Sequence, residues 1–218
     1  NLISTTSEDG NNQTTFINFW SFESYSPFFI GACYLEASIF DELASIASIA
    51  PTKSLFRGEI AKTLMYSIYK RRIGGSLIIL NRFSSLLFQE WDRAVELMTD
   101  LICVSIENGM MEVVAKLLEL IHMHSNLEEV CFNPMPLFEA LVFNDALILN
   151  MLLNHGFAHS ILIPLTSMTN PRWRNVASFQ YFCPLNIACL RNDATSVSKM
   201  IEKLPGSILS ATHCLKSD

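Results

Sequence analysis

The sequence predicts an all-α chain in which short helices come in pairs and the pairs stack side by side as a solenoid. Three observations predict it. Apolar residues recur at helical spacing in one segment after another. Turn sequences divide those segments at Asn108-Gly109, Asn144-Asp145 and Asn192-Asp193. Several segments are shorter than ten residues. Helices that brief do not stand alone in water and need neighbours to bury their apolar sides.

The 218 residues suffice for one domain or a repeat array with a substantial core. Half are apolar and 17% are charged, which excludes general disorder. Mean hydropathy is high at +0.29. No segment, however, offers the roughly 20 mainly apolar residues of a spanning helix. The uncharged run 156–171 is too short and carries Pro164, Thr166, Ser167 and Asn170. The apolar excess is therefore expected between stacked helices, with no direct membrane insertion.

A net charge of −6 weighs against a nucleic-acid partner, because phosphate binding needs a positive surface. The one dense basic cluster is Lys70-Arg71-Arg72. It reads as a solvated helix end, where cations suit the C-terminal dipole; a nuclear signal or a phosphate contact are the other readings. The cysteines are Cys33, Cys103, Cys131, Cys183, Cys189 and Cys214, with no Cys-x-x-Cys pair. Free cysteine within apolar patterns acts as a small hydrophobe, so a reducing cytoplasmic compartment is expected, the nucleus being the alternative. No basic-plus-apolar leader is visible. A start at Asn1 without Met gives the expectation of a fragment.

Residues 1–15 are polar, with Asp9-Gly10-Asn11-Asn12, and read as a loose terminus. Residues 16–34 are aromatic-rich, from Phe16 and Trp20 to Phe28 and Phe29, without a clean period, and read as an irregular cap. A helix is predicted over 35–50, with a stripe of Leu35, Ile39, Phe40, Leu43, Ile46 and Ile49, closed by Pro51. A second runs over 58–72, with Gly74-Gly75 as its stop. A third covers 77–87. A fourth covers 91–107, or two short ones broken near Asp100. Residues 16–98 are thus a divergent helical region or cap, and 99–218 hold the repeats. There, 111–123 is an amphipathic helix with Val113, Val114, Leu117, Leu118 and Ile121. Helices over 136–143 and 146–154 form a pair ended by His155-Gly156, glycine suiting the left-handed position past a helix end. Helices over 184–190 and 195–203 form another, ended by Pro205-Gly206.

These units resemble the ankyrin repeat. Met135-Pro136-Leu137-Phe138-Glu139-Ala140 and Cys183-Pro184-Leu185-Asn186-Ile187-Ala188 are similar to its Thr-Pro-Leu-His-x-Ala opening. Leu152-Leu153-Asn154-His155-Gly156 is similar to its end, and Glu107-Asn108-Gly109 with Val113-Val114 and Leu117-Leu118 to its middle. Proline at a helix start has no N–H to lose, and alanine lets neighbouring helices approach. The unit opening near Asp100 lacks the proline. Its step to Pro136, taken from Leu101, is 35 residues, close to the repeat length of about 33. The next step, to Pro184, is 48, so about 15 extra residues lie in a loop over 157–182. The resemblance covers just over half the chain. Degenerate ankyrin units, or another paired-helix repeat such as the armadillo type, are the readings for 16–98.

Insertions in repeat arrays often lie on the binding face. The inserted loop carries Arg172, Trp173, Arg174, Phe179 and Tyr181, together with Phe182. Aromatic residues with arginine are typical interface anchors, so these five are the candidate partner-binding residues. The competing reading folds the aromatics back on the stack. No catalytic, cofactor or metal site is expected. His122-x-His124 places its rings on different helix faces, and His155 and His159 are separated by Gly156. Neither pair has the cysteines or carboxylates that zinc would require. Glu107 and Glu112 read as solvated, and Cys103 and Cys189 as core. No nucleophile elbow, phosphate loop or His-Glu-x-x-His is present.

What the resemblance implies is a scaffold or adaptor, not an enzyme, that recognises another protein through a concave surface of loop tips and first helices. The alternatives are the cytosolic assembly domain of a membrane protein such as an ion channel, or the recognition domain of a larger enzyme.

Overall fold

The computed structural model describes residues 26–47, 53–88, 91–124, 133–163 and 183–204. They are all-helical, with no strand among the described residues. The elements are α1 (Pro27–Tyr34), α2 (Ala37–Ala47), α3 (Lys53–Tyr69), α4 (Ile73–Leu87), α5 (Trp91–Glu107), α6 (Met111–His124), α7 (Met135–Val142), α8 (Ala146–Asn154), α9 (Pro184–Leu190) and α10 (Ala194–Lys203), with a short 3-10 turn at Phe157–Ser160.

Contacts follow a simple rule. Each odd-numbered helix packs on the even-numbered helix after it, α1 on α2 through α9 on α10. Each odd-numbered helix also packs on the next odd-numbered one, and each even-numbered helix on the next even-numbered one. A single buried apolar cluster runs along these two rows, from Phe28 and Phe40 through Leu64, Leu101, Leu117 and Leu152 to Met200.

Four of the helix pairs are joined by the same turn. Its left-handed residue is Arg71 (φ 56°), Gly109 (φ 67°), Asn144 (φ 56°) or Asn192 (φ 56°). In each, that residue's N–H donates to the carbonyl three back, and the next N–H donates to the carbonyl five back, as in Met110 N–H to the Ser105 carbonyl at 2.9 Å and Asp145 N–H to Ala140 at 2.9 Å. This is the paired closure that satisfies the last carbonyls of a helix. Burial keeps the same register. Four residues before the left-handed position stand Ser67, Ser105, Ala140 and Ala188, all buried; eight residues after it stand Ile79, Leu117, Leu152 and Met200, each with no exposed surface. The α3–α4 pair, in the half expected to be divergent, therefore shares its geometry with the three later pairs.

The structure corrects several expectations near the start. Residues 26–34 are not irregular: Ser26 accepts the Phe29 N–H at 3.1 Å and Pro27 occupies the first turn, so α1 is a capped helix. Its Ser26 hydroxyl also donates to the Glu59 carboxylate on α3. Gly74 and Gly75 do not stop a helix; they lie in the first turn of α4, and Arg71 makes the turn instead. A Cβ on Gly75 would sit 2.4 Å from the Ala32 carbonyl oxygen, so glycine here permits backbone contact between α4 and α1. Ile39 and Ile46, placed in the buried stripe of α2, are 51% and 70% exposed; Phe40 and Ala44 are the buried residues. α5 is continuous through Asp100. Cys103 is core, but Cys189 is exposed near the end of α9.

Two later helices begin on aspartate caps. Asp145 Oδ1 accepts the Leu147 and Ile148 N–H groups, and Asp193 Oδ1 accepts the Ser196 N–H at 3.0 Å. Bonding from Ser196, first through its side chain and then its backbone, holds the Asp193 carboxyl below its usual 3.8. A depressed carboxyl stabilises the fold above its unfolded value and loses that contribution as pH falls through the folded value. Asp193→Ala is expected to cost about 1 kcal/mol at neutral pH, a fall of about 3 °C in Tm. The gap to the parent should close on titration below the usual carboxylate range. Asp193→Asn should keep the cap and lose the pH dependence of that gap. Thermal melts across pH check both.

Candidate functional site

The turns between the helices of each pair line up along one edge of the two rows, and side chains tie the first three to one another and the last two to each other. The Arg72 guanidinium donates to the Leu35 carbonyl of the α1–α2 turn. Arg71 Nε donates to Asn108 Oδ1 of the next turn at 3.5 Å. Arg191 donates to the Val142 carbonyl, 3.2 Å away, from the α9–α10 turn to the α7–α8 turn.

Among the described residues, that edge carries most of the large apolar side chains left in water. Nine of the fourteen exposed large hydrophobic residues described lie in or beside these turns: Tyr34, Leu35, Tyr69, Ile73, Met111, Val142, Phe143, Leu147 and Leu190. Scattered singly they would need no explanation. Gathered along one edge and mixed with polar residues, they have the composition of a protein-binding surface. The position two residues before the left-handed one is exposed and apolar in three of the four pairs, as Tyr69 (61%), Val142 (41%) and Leu190 (63%).

The α3–α4 turn adds charge. Lys70 and Arg71 are exposed and Arg72 is half-buried. Lys70 Nζ stands 5.3 Å from the centroid of the Tyr66 ring, at cation–π distance. Beneath them Cys33 is buried, and burial pushes its thiol up to about 11 against the opposing fields of Arg72 and Lys70. At neutral pH that sulfur is a thiol, not a nucleophilic thiolate. Elsewhere on the surface, Arg82 of α4 makes a two-pronged bond to Asp41 of α2, both distances 2.6 Å, and the guanidinium holds the Asp41 carboxyl low.

The candidate residues Arg172, Trp173, Arg174, Phe179 and Tyr181 lie outside the described residues, as do Cys131 and Cys214. The start of their loop is described. Phe157 is fully buried and Gly156 is left-handed (φ 94°), so the chain leaves α8 by folding back onto the core. His155 is a helix-end residue, as expected: its Nδ1 is 2.7 Å from the Met151 carbonyl. Among the described residues no three metal-ligating side chains cluster, and no helix is long and apolar enough to cross a membrane. Sequence reasoning misses the turn edge because exposure depends on packing. Its one readable signal is the apolar residue just before three of the four turns, at Tyr69, Val142-Phe143 and Leu190.

Comparison with family models, with curated proteins and with solved structures yields no match.

Proposed function

We propose that this chain is a protein-recognition scaffold, an ankyrin-like solenoid of helix pairs that works in a reducing compartment, the cytoplasm in the first instance. Support for the solenoid comes from the two rows of helix contacts and from one turn geometry repeated in four pairs. No disulfide joins the four described cysteines, which fits the compartment. The observation that carries the functional reading is the row of exposed apolar side chains along the turn edge. The inserted loop, with Trp173 and Arg174, is the second contact in this reading.

Affinity capture of cross-linked complexes from cells that express the protein tests it. The parent chain should retain discrete partners. Phe143→Ser/Leu190→Ser should weaken that capture about tenfold, the effect expected of interface anchors, with only a small fall in Tm because both side chains are more than half exposed. Trp173→Ala/Arg174→Ala should weaken it through the loop. A parent chain that captures nothing above a scrambled-sequence control would remove the reading. Full capture by both variants would move the interface elsewhere.

A further inference from the structure

Among the four shared turns, one has an unsuitable residue at its left-handed position. Gly109, Asn144 and Asn192 adopt that conformation readily; Arg71 does not, because its Cβ crowds the backbone at φ 56°. Strain kept where glycine or asparagine would serve points to a use for the side chain. The neighbours suggest which use. Lys70, Arg71 and Arg72 are consecutive, and each is steadied by an uncharged group: the Tyr66 ring, the Asn108 side-chain oxygen and the Leu35 carbonyl. Among the described residues no carboxylate pairs with any of them, whereas Arg82 is paired with Asp41 and Lys116 with Glu119. Each guanidinium uses one of its five donors in these bonds. In a chain of net charge −6 this is a positive spot with Glu36 and Glu107 on the adjoining turns but no carboxylate paired to it, bordered by exposed Tyr34, Tyr69 and Ile73.

We propose that the α3–α4 turn docks an acidic segment of a partner protein, with carboxylates on Lys70 and Arg71 and an apolar or aromatic side chain against Tyr34 and Tyr69. This rests on the reading of the chain as a protein-recognition scaffold and names the chemistry of its partner. Carboxylates match the guanidinium fork, and basic clusters are a standard means of reading acidic motifs. A nucleic acid fits less well, since three cations on an acidic chain neutralise too few phosphates. An anionic membrane surface is read by clusters of about four to eight cations, more than stand here.

Titration of a fluorescein-labelled glutamate–tyrosine random copolymer with the full chain, followed by anisotropy, is the test. Saturable binding is expected, weakening as salt rises from about 50 to about 200 mM. Lys70→Ser/Arg71→Asn should lower affinity about tenfold. Lys199→Ser/Lys203→Ser, which removes the same charge from α10, should leave it unchanged. Arg71→Asn alone should weaken binding while raising Tm by about 3 °C, because asparagine relieves the turn. That opposition separates a working side chain from a structural one. Four results would overturn the proposal: no saturable binding, equal loss from the α10 variant, unchanged binding by Arg71→Asn, or tighter binding of oligothymidylate or of equal-part phosphatidylserine–phosphatidylcholine vesicles than of the copolymer. A chain that fails here yet keeps its partners in affinity capture loses this inference and not the scaffold reading.

Discussion

Gly75→Ala is expected to destabilise the protein by about 3 kcal/mol, a fall of roughly 10 °C in Tm, although it adds one methyl group and improves helix propensity. The added carbon would lie 2.4 Å from the Ala32 carbonyl oxygen and 3.3 Å from its carbon. Both atoms are backbone, so no side chain can swing aside. α4 would have to move off α1, and Phe83 of α4, now edge-on to Phe28 of α1 at 5.4 Å, would lose that contact. Gly58 supplies the control. It is helical and exposed, and a Cβ there would meet nothing within 4 Å. Gly58→Ala should therefore stabilise by about 1 kcal/mol, since alanine loses less backbone freedom on folding. Thermal melts of the two variants should move in opposite directions. A rise in Tm for both would mean that α1 and α4 do not touch through Gly75.

Deleting residues 135–156 should remove more helix than it excises. The deletion takes out α7 and α8, of 8 and 9 residues. It also strips α9 and α10, of 7 and 10 residues, of the helices they pack on, because α9 touches α7 and α10 touches α8. Helices of that length do not persist alone. The far-UV helix signal should fall by about twice what the deleted residues carried, and apolar surface on α5 and α6 should become dye-accessible. A cooperative melt with helix reduced only by the excised share would show that α9 and α10 dock equally well on α5 and α6, against the packing described.

Much of this architecture is legible in the amino-acid sequence alone. The bounds of α6, α8 and α9 follow from their apolar stripes and from Pro184, and the left-handed turns from Gly109, Asn144 and Asn192. α1 is not legible from periodicity because it is apolar nearly all round: Phe28, Ala32 and Cys33 are buried while Ile30 is exposed. Ser26-Pro27, a cap followed by a first-turn proline, is the signal that marks it. The start of α4 is hidden because a sequence does not distinguish a glycine needed for positive φ from one needed for close approach. Gly109 is the first kind and Gly75 the second. The turn edge needs coordinates for a similar reason. Ile39 and Phe40 are neighbours of like hydrophobicity, yet one faces water and the other the core.

The nearest-neighbour packing also has an entropic side. Joining α9–α10 to the rest closes the long connection from Ser160 to Pro184, whereas α7 follows α6 after far fewer residues. Loop closure grows slowly more costly with length, so on chain separation alone α9–α10 gives up more entropy on docking than α7–α8 does. The bond from Arg191 to the Val142 carbonyl crosses that seam. A molecule seated over Phe143 and Leu190 would act as a latch across that joint.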